Sequence, residues 1–200
     1  EPNGTQSGSA YVVYRTKDFT SLSLGALSGR GFSIDGPDRS FTGLEMERLG
    51  DMNADGIADF AVGSPGYGAS GDFATLVYGR ATSGNVDLAS LGDRGLRFTG
   101  SDTSYHVGRA VAGVGDVDAD GHPDALIGAA TISATQDLAA LVRGGPSLQG
   151  GPLSSWPDGF ATAAGSDFGI GVAGLGDING DGGLDMAVGA PRTAPNGLTD

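Results

Sequence analysis

Cysteine is absent from this 200-residue chain, lysine occurs once (Lys17), tryptophan once (Trp156), and histidine twice (His106 and His122). Without cysteine there can be no disulfide, no zinc–thiolate site and no thiol nucleophile. No apolar run approaches the ~18 residues that a membrane-crossing helix needs. No basic-then-apolar leader opens the sequence, as expected of a processed or trimmed chain. A sustained 3.6-residue apolar period is also missing, so almost no helix is expected. There is no G-x-S-x-G elbow, P-loop or dinucleotide fingerprint. Positive charge is scarce: 11 basic against 24 acidic residues leave a net charge of −13. That balance repels phosphate, so nucleic acid and anionic membranes are excluded as partners and no membrane insertion is expected.

What is abundant is glycine, 38 residues, and aspartate, 21 of the 24 acids. Glycine at that level without an every-third period excludes collagen and signals many turns. The 38% hydrophobic content excludes disorder. These residues recur in register. Gly43-Leu44-Glu45-Met46-Glu47-Arg48-Leu49-Gly50-Asp51 has counterparts at Gly108–Asp116 and Gly169–Asp177, offset by 65 and 61 residues. An apolar strand with a small-residue ending follows each copy, at Phe60–Pro65, Ala125–Ala130 and Met186–Pro191. Further strand-like elements recur at Ala74–Gly79 and Ala139–Gly144, and at Gly31–Gly36, Gly95–Gly100 and Gly159–Gly165. Four short strands per roughly 64 residues, broken by Gly/Pro/Ser/Asp clusters, describe a four-stranded antiparallel unit. The fold class expected is all-β, a β-propeller of such blades. Ser9–Tyr14 resembles a third strand, whereas the last copy stops after its second. The expectation is therefore about three blades in one domain over residues 1–200: approximately 37–100, 101–165, and 166–200 joined with 1–36. Two chains could then complete a six-bladed ring as a homodimer, or the chain could be part of a longer propeller.

Between the first two strands of each copy lies one nine-residue pattern. Acids or amides stand at positions 1, 3, 5 and 9, and glycine at position 6. The three sets are Asp51, Asn53, Asp55 and Asp59; Asp116, Asp118, Asp120 and Asp124; and Asp177, Asn179, Asp181 and Asp185. Position 7 (Ile57, His122 or Gly183) would offer its carbonyl. Calcium takes six to eight oxygen ligands in a flexible shell, and this spacing gathers them on a sharp turn. Magnesium fits less well, because it demands a tight octahedron. Position 12 is Val62, Ile127 or Val188 rather than the glutamate an EF-hand needs, so the loops are not EF-hands. About three Ca²⁺ are expected, one per loop. The bland alternative, Asp/Gly hairpin turns without metal, has to explain the same ligand pattern three times over.

The order Phe168-Gly169, then Asp-x-Asn-x-Asp-Gly-x-x-Asp, then Gly189-Ala190-Pro191 resembles the FG-GAP repeat of integrin α subunits and of many secreted bacterial proteins and lectins. The resemblance covers essentially the whole chain. It implies calcium in the blade hairpins and a secreted or cell-surface setting. Two copies depart from the motif, with Phe41-Thr42-Gly43 and Gly63-Ser64-Pro65 in the first, and Val107-Gly108 and Gly128-Ala129-Ala130 in the second.

The function expected is a non-catalytic, lectin-like or adhesive module that recognises a protein or a glycan. Its contacts would come from the loops Pro65–Gly71, Ala130–Gln136 and Ser147–Asp158. The alternative is a polysaccharide-active enzyme, or its accessory domain, with a site at the central channel. No catalytic residues are assigned: Arg109 is the lone charge in its inner strand, which favours the binding module, Glu45 and Glu47 share a strand face that could point at the channel, and His106 is a rim residue or a ligand contact. Tyr11, Tyr14, Phe32, Phe60, Tyr78, Phe98, Phe160 and Phe168 are expected to pack between blades. Trp156, Tyr67 and Tyr105 fall in loops, where they either fold over their own blade or present a ring to a ligand.

Overall fold

The computed structural model describes residues 3–15, 17, 21–27, 29–66, 71–82, 84–100, 106–130, 136–153, 156, 158–163 and 166–193. Within them the chain is all-β, with three-residue 3₁₀ turns at Leu88–Ser90 and Gly92–Arg94. The strands are β1 Ser9–Val13, β2 Gly31–Asp35, β3 Glu45–Gly50, β4 Asp59–Ser64, β5 Phe73–Val77, β6 Val86–Asp87, β7 Gly95–Thr99, β8 Ala110–Gly115, β9 Asp124–Ala129, β10 Gln136–Val142, β11 Gly151–Pro152, β12 Gly159–Ala163, β13 Val172–Gly176 and β14 Asp185–Val188.

Strands β3-β4-β5-β7 and β8-β9-β10-β12 form two complete four-stranded antiparallel sheets. On one side stands the pair β1-β2, on the other the pair β13-β14. β3, β8 and β13 lie next to one another, so they are the innermost strands of consecutive sheets. Each first hairpin slips register at the same place, between Arg48 and Gly50, Gly113 and Gly115, and Gly174 and Gly176. That slip sets the entry to the aspartate loop. Two further strands escaped the sequence reading: β6 adds in parallel to β2, and β11 in parallel to β7. In each case the link between third and fourth strands reaches back to stitch the outer edge of the preceding sheet.

Three apolar layers hold the sheets together. Ile34, Phe73 and Val86 fill the first, Met52, Phe98 and Ile127 the second, and Leu126, Val114 and Ala139 the third. Each fully buried Leu, Ile, Met or Phe contributes roughly 1.5–3 kcal/mol relative to exposure. Of the aromatics expected between blades, Phe32 and Phe98 are buried, and Tyr14, Phe60, Tyr78 and Phe168 are partly buried against the same layers. Tyr11 and Phe160 are instead exposed, at 38% and 47%. Phe160 occupies the place of Phe32 and Leu96, which pack on the next sheet. Opposite Phe160 that sheet has only β13 and β14 among the described residues.

Among the described residues the strands expected to share a blade between the termini do not pair. β1-β2 and β13-β14 belong to separate sheets with two complete sheets between them. Ala10 and Phe32 of the first pair are buried in the first layer, and Val172, Met186 and Val188 of the second are partly buried against the third.

Candidate metal centre

The three aspartate loops share one set of turn hydrogen bonds, with a further bond from Gly180 N–H to Asp177 in the third. The position-1 carboxylate caps the turn. One oxygen of Asp51, Asp116 or Asp177 accepts the position-5 N–H at 3.0, 3.0 and 3.2 Å, and the other the position-6 N–H at 2.8, 2.8 and 2.9 Å. Asn53, Asp118 and Asn179 accept the same position-5 N–H at 3.1, 3.2 and 2.8 Å. Asp55, Asp120 and Asp181 each accept from position 7 (Ile57, His122 and Gly183) at 2.8 Å. Short Asx bonds of this kind are what Asp and Asn do in turns. The backbone they enforce is left-handed at position 4 (Ala54, Ala119 and Gly180, φ 64°, 60° and 79°) and at position 6 (Gly56, Gly121 and Gly182, φ 87°, 96° and 90°). Glycine is therefore the residue position 6 calls for.

Positions 1, 3 and 5 converge. In the second loop, Asp116, Asp118 and Asp120 bring one carboxylate oxygen each within 4.8 Å of the others. Three hard anionic oxygens that close repel one another, and a divalent cation between them removes the repulsion. The donor set fits a cation of the calcium type: carboxylate and amide oxygens, on a turn whose backbone is already set.

Position 9 is placed differently. Asp59 and Asp124 are buried, and Asp124 stands outside that cluster. One oxygen of each accepts the position-2 N–H, from Met52 at 2.9 Å and Val117 at 2.8 Å. The other accepts the N–H of Gly79 or Gly144, just past the third strand, at 2.9 Å in both. Asp185 accepts from Ile178 at 2.9 Å. Position 9 thus ties the loop to its own sheet. Burial pushes the Asp59 and Asp124 carboxyls above their ordinary value, with the neighbouring loop aspartates adding to it, while the N–H bonds pull back. Asp177 moves the other way, held low chiefly by the N–H groups of Gly182 and Gly180.

The sequence missed two features beside the loops. Arg143 forks between Asp118 and Asp158, at 3.1 Å to each, linking the second loop to the 143–158 segment. Asp72 and Asp137, 65 residues apart and both buried, brace the turn that opens the next sheet. Asp72 accepts the His106 N–H, and Asp137 accepts from Ser166 N, Ser166 Oγ and Phe168 N at 3.0, 2.7 and 3.3 Å. The repeat offset alone could have found this pair.

The remaining candidates disperse. His106 is buried in one of these turns, with its pKa lowered by burial and secondarily by Arg109. Glu45 and Glu47 do share a face of β3, on the same side as buried Leu49. Burial, with Glu47 adding, raises the Glu45 pKa. Arg109 lies in the turn ahead of β8. Trp156 packs edge-to-face on Phe98, ring centroids 5.3 Å apart. Tyr67 and Tyr105 lie outside the described residues, as do parts of the loops 65–71, 130–136 and 147–158. Among the described residues no helix is long and apolar enough to cross a membrane.

No family model matches the chain. Similarity to individual proteins is clear. The chain is 34% identical over 170 residues to integrin alpha-PS2 of Drosophila melanogaster, covering 80% of this chain and 11% of that protein. It is 31% identical over 159 residues to integrin alpha-5 of Xenopus laevis, covering 77% and 14%. Integrin alpha-6 of Gallus gallus is 33% identical over 129 residues, covering 64% and 11%. The chain thus spans between 11% and 14% of the length of these relatives.

Proposed function

From the premise that the chain belongs to the integrin α-like FG-GAP propeller family, we propose that it is a calcium-stabilised, non-catalytic recognition module that works outside the cell on a protein or glycan. The observation that carries this reading is that the position 1, 3 and 5 oxygens accept the same turn N–H groups in all three aspartate loops. Asx turns use these oxygens too, but three carboxylates converging within 4.8 Å in the second loop is a repulsive arrangement that a turn alone does not need and a cation relieves.

The proposed ligands are the side chains at positions 1, 3, 5 and 9 and the carbonyls of Ile57, His122 and Gly183. Bound calcium would supply the charge that lets the carboxylates share one turn. Three ions would take the net charge from −13 to −7. The protein's own residues do the rest. Positions 1, 3 and 5 shape the turn, and position 9 transmits its position to the sheet through Gly79 or Gly144. The loops thereby stiffen one edge of each sheet and steady the segments beside them. The unit proposed is a single propeller domain over residues 1–200, with blades approximately 37–100, 101–165 and the remainder.

Calorimetric titration of chelator-stripped protein tests the reading. About three calcium equivalents should bind, with a rise in Tm. At a hundredfold excess over Kd, each site adds about 2.7 kcal/mol. Absence of binding heat together with an unchanged Tm would overturn it.

A further inference from the structure

Beside the second aspartate loop lies a cleft of about 590 Å³, within the range of roughly 300–1,000 Å³ typical of small-ligand sites. Asp120, Arg143, Gln149, Trp156 and Asp158 line it, together with the glycine-rich backbone of 144–151. We propose that this cleft binds a neutral saccharide, with Trp156 as the stacking platform and Arg143 and Asp158 as the hydrogen-bonding fork. The proposal rests on the calcium reading of the 116–124 loop.

Three observations support it. Trp156 is held before any ligand arrives. Its ring meets Phe98 edge-on at 78°, and Phe98 is 1% exposed, while the backbone N–H of Trp156 donates to Leu153 O at 3.0 Å and sets the chain beneath the ring. An aromatic ring already packed against a buried neighbour loses less entropy on stacking than a free one. Arg143 is likewise set, with Nη1 on Asp118 and Nε on Asp158 at 3.1 Å. These pairs use two of the five N–H donors in a guanidinium, and the rest of the fork remains for a ligand. The third observation is charge. One cation, Arg143, faces Asp158 and the cluster of Asp116, Asp118 and Asp120, an excess of three negative charges. A divalent ion in the loop reduces that excess to one. The cleft then presents donors, acceptors and an aromatic face with little net charge, which suits the hydroxyls and apolar face of an uncharged sugar. An anionic glycan gains nothing there and meets a strongly acidic protein.

Trp156 is the only tryptophan in the chain, so its fluorescence reports the cleft directly. The probes are neutral tetrasaccharides (gluco-, manno-, galacto- and chito-series), a sialylated glycan and a lysine-rich peptide. All are titrated into the whole protein, in calcium and in EGTA, after calcium binding has been measured calorimetrically. The expected result is a saturable fluorescence change with a neutral tetrasaccharide, weakened about tenfold or more in EGTA. Arg143→Gln should abolish it while leaving calcium heats in the first and third loops intact. Trp156→Phe should keep weaker binding by calorimetry. If calcium binds but no neutral tetrasaccharide perturbs Trp156, the saccharide site is wrong and the calcium reading stands. Binding that is equal in EGTA, or preference for the sialylated glycan or the peptide, also overturns the proposal. If calcium itself fails to bind, the failure lies in the underlying reading and takes the proposal with it.

Discussion

Within each loop the aspartates divide the labour by burial. Asp120 is exposed and belongs to the convergent cluster, whereas Asp124 is fully buried and spends both oxygens on backbone N–H groups. Two substitutions should separate these roles. Asp120→Ala should remove one calcium equivalent in calorimetry and, since it loses only one exposed turn bond from the His122 N–H, cost roughly 0.5–1 kcal/mol in EGTA. Asp124→Asn keeps the shape but turns an NH₂ toward one of two N–H donors. It should cost about 1–3 kcal/mol in EGTA as well, read by chemical denaturation. Equal losses in EGTA from both variants would refute the division. The ligand-type residues at positions 1, 3 and 5 were legible in the sequence because Asx turns and metal loops ask for the same oxygens at the same spacing. The role of Asp124 was not, since its partner Gly144 lies 20 residues away and only the sheet brings them together. Arg143 was illegible for the same reason: its two carboxylates come from different loops.

At the level of strands and turns, the glycines of the FG-GAP motif mark a close approach between neighbouring sheets. A Cβ on Gly63 would overlap the backbone oxygen of Gly108, and one on Gly128 that of Gly169. In the first two repeats the second glycine therefore meets the first glycine of the next. Gly128→Ala must push backbone from backbone. It should cost at least the 1–3 kcal/mol of an overpacked core, and a loss of about 2 kcal/mol lowers Tm by roughly 4–8 °C in a chain of this size. An unchanged Tm would refute the contact. The first repeat's departures from the motif also acquire a cause. Thr42 Oγ1 and Ser64 Oγ are buried 2.8 Å apart, and Ser40 Oγ bridges Thr42 Oγ1 at 2.9 Å and Ser7 O at 2.7 Å. This hydroxyl chain stands where Asp72 and Asp137 brace the later turns. Thr42→Val and Ser64→Ala should each destabilise by about 1 kcal/mol, and the double variant by less than their sum. Strict additivity in denaturant melts would show that the two hydroxyls do not act together. The four-strand period was readable because every full strand has an alternating or small-residue apolar signature. β6 and β11 were not, since two-residue edge strands carry no period at all.

At the scale of the whole molecule, the unresolved matter is whether β1-β2 of one copy completes β13-β14 of another. The internal equivalences make this a steric question. β5 pairs β4 with Val77 opposite Phe60, and β1 aligns with β5 through the pairing of Val13 with Gly31 and of Val77 with Gly95. Arg15 then falls where Gly79 and Gly144 stand in the complete sheets. A Cβ at those glycines would overlap the carbonyl oxygens of Ala58 and Pro123, the position-8 residues of their loops. Arg15 in that place would drive its Cβ into the carbonyl of Leu184. The sequence resemblance of Ser9–Tyr14 to a third strand is real, but it ends one residue short of the position that meets an aspartate loop. Light scattering should show no discrete dimer of twice 19.8 kDa, with or without calcium. Arg15→Gly, which removes the obstacle, is the variant in which a calcium-dependent dimer would first be expected. A stable dimer of the unaltered chain would mean that the edge strands meet in another register, and the steric argument from Gly79 and Gly144 would fall with it.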